Sequence, residues 1–513
     1  MKNKKKGLII AVIAAVVLVG VMLLLIFLPK GDTEAPKLDG GVDITLSTND
    51  QGVHQAKVNT DKNGNIENNS YGTLLSYVPR DIETIHVENA GGTVDIKSYT
   101  PVNKDGTTEA TVYTFVGYED FELQTGIPDQ IANAAAKLEF AKVVSLKAED
   151  AKNYGFDKPA SVVTINYSDN TSAIVYVGNE APQGAGTYVK FGDGDEIYLA
   201  NTDSVSAFLY KATDLISLVV NDSATDTEKA QASSIEISGS NFPKTITLEP
   251  NKNTNNSASY VMTKPHNVYA NESESSKITG AIRGLYAANV VMVNPSSSQL
   301  DKLGLSNPYA EIKAVYSDAT IELIASKPDK DGNLNLMVKG GKIVYGMGLT
   351  SVPWVGTSYE NLVSEYVLHP NMASLSGLSV NNGSKTYDFK LSSKQTTTTD
   401  DEGNETTSTT TTVKCGSEEI ETAYFSTFFE NLTLMEISKV SNDKASGSSA
   451  FTVTYNYVDG SASDTVKFYA SGTKYLAEVN GNAVGEVYKS GVTKLIKQVE
   501  QIADNKEIEP FIG

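Results

Sequence analysis

The chain is 513 residues long, and its 62 acidic residues against 42 lysines and arginines give a formal charge of −20. That balance excludes the basic footprint of a nucleic-acid binder and a body lying flat on anionic lipid. A single cysteine, Cys415, excludes an internal disulfide, and the length exceeds what one core supports, so about two to four domains are expected.

Lys2, Lys4, Lys5 and Lys6 precede an uncharged apolar run over residues 7–28. At about 1.5 Å per residue the run spans a hydrocarbon core of roughly 30 Å. Lysines stay inside, so the expectation is a cytoplasmic tail at 1–6, a single transmembrane helix at 7–28, and an extracytoplasmic body in the cell membrane. A cleaved signal peptide is the alternative, but its apolar region is about 7–15 residues and ends in a small-residue cleavage site. Residues 29–72 are rich in Gly, Asp and Asn and read as a linker off the membrane, with room for a short strand at 42–46.

Beyond the linker, three features recur in order. The first is an apolar helix face at i, i+4 and i+7: Ile131/Ala135/Leu138, Ile278/Ile282/Leu285 and Phe425/Phe429/Leu432, each set 147 residues after the last. An apolar residue follows each at matching distance: Val143, Val290 and Ile437. The second is a strand ending in Tyr-x-Asp before a turn residue: Tyr167 and Asp169 before Asn170, Tyr316 and Asp318 before Ala319, Tyr457 and Asp459 before Gly460. The third is a strand closing on an apolar-Tyr pair, Ile197-Tyr198, Val344-Tyr345 and Val487-Tyr488, with a helical stretch expected after each, at 204–215, 360–367 and 490–502. Copies one and two also share a Gly-x-x-x-Pro element, Gly155 to Pro159 and Gly304 to Pro308. There the glycine permits positive φ and the proline restarts the chain as extended. Copy three has Ala445-Ser446-Gly447-Ser448-Ser449 instead.

The predicted fold class is therefore α+β: an N-terminal transmembrane helix, then three tandem repeats of antiparallel sheet with helices packed on one face. The expected repeats are 73–225, 226–370 and 371–513. The third carries a threonine-rich hairpin at 395–413, which a disordered, glycosylated loop would also fit.

Tyr154-Gly155-Phe156-Asp157-Lys158-Pro159, the Tyr167 turn, Val177-Gly178-Asn179, Tyr188-Val189-Lys190 and Glu196-Ile197-Tyr198-Leu199 resemble the domain of unknown function 4340 family. The best match runs over 149–220, with further copies after it. The resemblance implies a single-pass membrane protein of bacteria whose genes often neighbour those of an ABC-type transporter of the gliding-motility kind. It implies no catalytic residue.

The residues point the same way. His54, His86, His266 and His369 fall in a linker, a strand, a loop and a pre-proline position, without metal-ligand spacing. Asp329 to Asn333 starts like a calcium loop but has Leu334 and Gly340 where glycine and glutamate are needed, so a hairpin turn is expected. Gly192 to Glu196 also reads as a turn rather than a loose calcium loop. No nucleophile elbow or P-loop is present, no cofactor is expected, and the recurring tyrosines read as packing residues. The functional expectation is a non-catalytic scaffold or binding protein beside ABC-transporter membrane subunits or envelope proteins. A cell-surface adhesion or wall-associated protein is the alternative, and an envelope hydrolase fits less well.

Overall fold

The structure, a computed structural model, describes residues 41–399 and 405–511. The expected helix at 7–28 and the acidic hairpin tip at 400–404 lie outside those residues. Among the described residues, no helix is long and apolar enough to cross a membrane.

The body is mostly β, in three nine-stranded antiparallel sheets, the second and third of one topology and the first with one front strand fewer and one more at its far edge. In the third, Leu375–Asn381, Thr386–Thr399, Glu405–Cys415 and Glu418–Ile420 form a front meander. The back meander is Phe451–Tyr457, Asp464–Ser471, Lys474–Val479 and Asn482–Tyr488. The two first strands pair with each other, and Lys439–Val440 closes the far edge against Asn482–Tyr488. The corresponding central pairs are Ile82–Asn89 with Ser161–Tyr167 and Ser234–Ser238 with Ala310–Val315.

Alternation decides which face is buried. In Phe451–Tyr457 every second residue (Phe451, Val453, Tyr455, Tyr457) is buried, as a one-sided sheet requires. Helices α1 (Ile127–Ala136), α2 (Glu272–Thr279) and α3 (Thr422–Thr433) cover that face. Each buried large side chain contributes about 1.5–3 kcal/mol, so a set such as Phe425, Phe428, Phe429 and Leu432 anchors α3 strongly. Asn271 starts α2 by accepting the Glu274 N–H at 3.0 Å, beside acidic side chains that suit a helix N-terminus.

All nine face residues are buried, but the helical period holds throughout in α3 alone. Leu138 lies on strand Lys137–Ser145, and Ile282 and Leu285 follow α2 outside any helix. The stretches at 204–215 and 360–367 are likewise broken into short turns, whereas the last helix, α4 (Lys489–Ala503), is continuous.

Two further expectations are corrected. The helices are not confined to one face. Ser297–Lys302, before the Gly304 element, brings Leu300, Leu303 and Leu305 onto the opposite side of the second sheet, against Ile324, Met337 and Val344. The linker is partly folded. Ile44–Thr48 and His54–Val58 form a hairpin that bridges to Ser172 and exchanges side-chain bonds between Gln55 and Asp193. Near the expected boundaries at 225 and 371, the incoming chain already pairs with the next copy. Val220 N–H donates to Leu285, and Val367 N–H to Met435, at 2.9 and 3.0 Å. In copy one that incoming position is strand Gly72–Ser76. By compactness the chain divides at Leu215/Ile216, with one nine-stranded sheet in the first unit and two in the second.

The threonine-rich segment is a long hairpin, with Thr386–Thr399 paired to Glu405–Cys415 out to Thr399 opposite Glu405. Hydroxyls bond across it from Ser392 to Thr412 and from Ser393 to Thr411.

Candidate functional site

The three Tyr-x-Asp turns do not converge on one site. Each instead receives a different partner, and each tyrosine is buried while its aspartate is at the surface.

In copy one, Tyr167 donates to the carbonyl of Ala135 in the last turn of α1 at 2.9 Å. The Tyr77 ring stacks on it at 3.8 Å and 11°. Tyr77 also donates to Asp169 at 3.1 Å, and its hydroxyl lies 2.7 Å from His54 Nε2. The Thr171 hydroxyl holds the Asp169 carboxyl below its usual range, and burial pushes the Tyr167 hydroxyl far above its own. His54 therefore sits in a docked hairpin, not a free linker.

In copy two, Arg283 lies over the Tyr316 ring at 5.1 Å and grips Asp318 with both terminal nitrogens at 2.8 Å. The paired bonds lower the Asp318 carboxyl, and burial raises the Tyr316 hydroxyl to about 12.

In copy three the partners come from copy two. The loop after Ile246–Pro250 carries Asn251-Lys252-Asn253-Thr254-Asn255-Asn256. Asn255 donates to Asp459 at 3.1 Å and to Ser461 at 2.9 Å, while Asn253 donates to Asp464 at 3.1 Å. Asp464 is 4% exposed and also accepts from Tyr457 at 2.5 Å and Asn480 at 2.6 Å. Three donors around a buried carboxylate replace the water it loses. Burial and then the Asp464 bond push the Tyr457 hydroxyl far up.

This seam between the second and third sheets is the most developed candidate site. Residues 363–367 run along it: Ser364 N–H donates to Tyr269 of copy two, and Glu365 accepts from Ile437 of copy three. A cavity of about 100 Å³ lies between, lined by Tyr269, Tyr366, Ile437, Asn480 and Val484 among others. A second of about 320 Å³ is lined by Asn256, Ser257, Glu272, Tyr366 and His369. Ser257 Oγ lies 3.0 Å from His369 Nδ1, and Glu272 is occupied by the backbone and hydroxyl of Ser259. The arrangement fastens two copies together. Among the described residues, no group of three or more His, Cys, Asp or Glu side chains is placed to hold a metal.

Gly155 and Gly304 adopt φ of +91° and +73°, and Pro159 and Pro308 stand just before the strands Ser161–Tyr167 and Ala310–Val315. A Cβ on Gly155 would meet the backbone nitrogen of Asn179 at 2.9 Å. Gly447 of copy three also has positive φ, +82°, but at a bend without the helical turn that precedes the other two. Asp329 forms the expected hairpin turn, accepting from the Asp331 and Asn333 N–H groups.

Sequence reasoning missed Arg283, Asn253, Asn255, Asp464 and Tyr77. Two signals were present: Arg283 is one of only two arginines in the chain, and the asparagine run at 251–256 is dense.

Two segments, residues 114–259 and 261–453, match the family described as Domain of unknown function (DUF4340), and together they span more than half of the chain. Each starts within one sheet and ends within the next. No curated protein matches the chain.

Proposed function

The chain belongs to the DUF4340 family, and we propose that it is a non-catalytic scaffold, anchored by residues 7–28, whose extracytoplasmic body binds envelope proteins beside an ABC-type transporter. One observation carries the reading. The polar side chains at all three repeat turns are spent on internal bonds that dock one element onto another. A body whose repeat turns are spent in this way presents surface rather than a reaction centre. Its acidity keeps such a surface soluble and selects for basic partners. The transporter association follows from the family resemblance, and the anchor from the apolar run.

The test is purification from membranes in mild detergent after a high-salt wash. Retention through the wash, release by detergent and co-purifying transporter subunits are expected. Release by salt alone, a mature N-terminus after Lys30, or recovery with wall polymer in place of membrane subunits would overturn it, the last in favour of a wall-associated protein.

A further inference from the structure

Copies two and three complete their front meander with a fourth strand, Val268–Tyr269 and Glu418–Ile420. Each inserts one apolar residue into a buried cross-strand row: Leu248, Met262 and Val268 in copy two, Leu391, Val413 and Ile420 in copy three. Copy one stops at three front strands, so Val112–Phe115 is the edge of its sheet. Its row, Ile85, Ile96 and Phe115, ends on Phe115, whose ring is covered by Tyr118 stacked at 4.3 Å. Tyr118 supplies the missing side chain, but not the missing strand.

The backbone of this edge is set for pairing. Val116 N–H donates to Asp95 at 2.8 Å, so in an antiparallel ladder Thr114 and Val112 spend their bonds on Lys97 and Tyr99. Tyr113 between them turns its N–H and C=O outward. Exposed edges are normally blunted by lysine, proline or a bulge, yet Val112-Tyr113-Thr114-Phe115 contains no charge and no proline. Tyr99, Val102 and Val112 beside it are 68%, 64% and 52% exposed. Glu119, Glu122 and Asp129, all exposed, flank the edge.

We infer that the Val112–Phe115 edge accepts an antiparallel strand from a protein partner, an extended segment that alternates apolar residues with lysine or arginine. The sister copies define the geometry of the added strand, and the flanking carboxylates select its charge. The inference rests on the scaffold reading and says which surface the scaffold uses.

The probe is a synthetic peptide of alternating valine and threonine with two lysines at each end, and its control has glutamates in place of the lysines. Hydrogen exchange over residues 108–118 is followed in the full chain in detergent. The basic peptide is expected to slow exchange at Tyr113 at least about tenfold. Val112→Lys should abolish the slowing at Tyr113, and Tyr113→Pro, which removes an outward N–H that an edge strand can spare, should abolish it at Phe115, whose amide also points outward in this register, each without moving the melting midpoint. No slowing, equal slowing by the acidic peptide, or slowing that survives both variants overturns the assignment. Protection that grows with protein concentration in the absence of peptide gives the edge to a second copy and overturns the basic partner. Transporter subunits that still co-purify with the Tyr113→Pro chain sink the edge but leave the scaffold reading standing. Their absence from the wild-type preparation sinks that reading whatever the peptide does.

Discussion

The hydroxyl of Tyr167 caps helix α1, donating to the Ala135 carbonyl at 2.9 Å from a side chain that is 1% exposed. Helix C-termini leave carbonyls unpaired, and a strand residue satisfies this one. Removing the hydroxyl strands a buried acceptor, which costs about 1–3 kcal/mol. Tyr167→Phe is therefore expected to lower stability by that amount, read as a shifted denaturant midpoint. A variant as stable as wild type would mean that water replaces the bond.

Tyr316 stands at the equivalent turn but works through its ring, under the Arg283 guanidinium. Tyr316→Ala should cost about 2–4 kcal/mol, as expected for truncating a buried aromatic. Tyr316→Phe should cost about 1 kcal/mol or less, because the ring face that Arg283 covers is kept. The contrast with Tyr167→Phe is the informative measurement: two phenylalanine variants of equal cost would refute the division of roles.

How much of this was legible depended on the range of the interaction. Phe425, Phe429 and Leu432 announce α3 because helix periodicity is local. The Tyr-x-Asp turns announce themselves through short-range turn chemistry. Ile282 and Leu285 carry the same spacing, yet they lie outside any helix, since burial constrains which face a residue takes but not the hydrogen bonding behind it. The partners of the turns were illegible for a different reason. Asn253 reaches Asp464 across 211 residues, and no local pattern encodes such a pairing. His54 read as linker because Gly and Asn surround it, although its ring nitrogen finds Tyr77 and Thr171 once the hairpin docks.

Two histidines give the first copy opposite responses to pH. Hydrogen bonds that His86 donates to Asp95 and then Glu88 raise it above its ordinary value, whereas burial lowers His54 against the opposing charge of Asp169. The His86 contribution is complete below the unfolded value of about 6.5 and fades as pH rises through the raised folded value. The His54 contribution is present above about 6.5 and fades as pH falls through the lowered one. His86→Gln should flatten the decline in melting midpoint on the alkaline side, and His54→Gln the decline on the acidic side. A profile left unchanged by both variants would contradict the assignment.

The seam between copies two and three offers the sharpest test of their coupling. Asp464 is a buried carboxylate that accepts from Tyr457 and Asn480 within its own copy and from Asn253 of the other. Asn253→Leu removes the cross-copy donor and leaves a buried charge one bond short, where a hydrogen bond to a charged group is worth about 1.5–3 kcal/mol. Asn255→Ala removes bonds to Asp459 and Ser461, of which the Asp459 carboxylate is open to water and can rehydrate, so it should cost less. Trp354, the sole tryptophan and fully buried in copy two, reports unfolding of that copy by fluorescence. Asn253→Leu should shift the Trp354 transition to lower denaturant, although Trp354 belongs to neither the loop nor copy three. A transition that stays in place would show that the second copy stands without the third, and that the seam joins two independent folds.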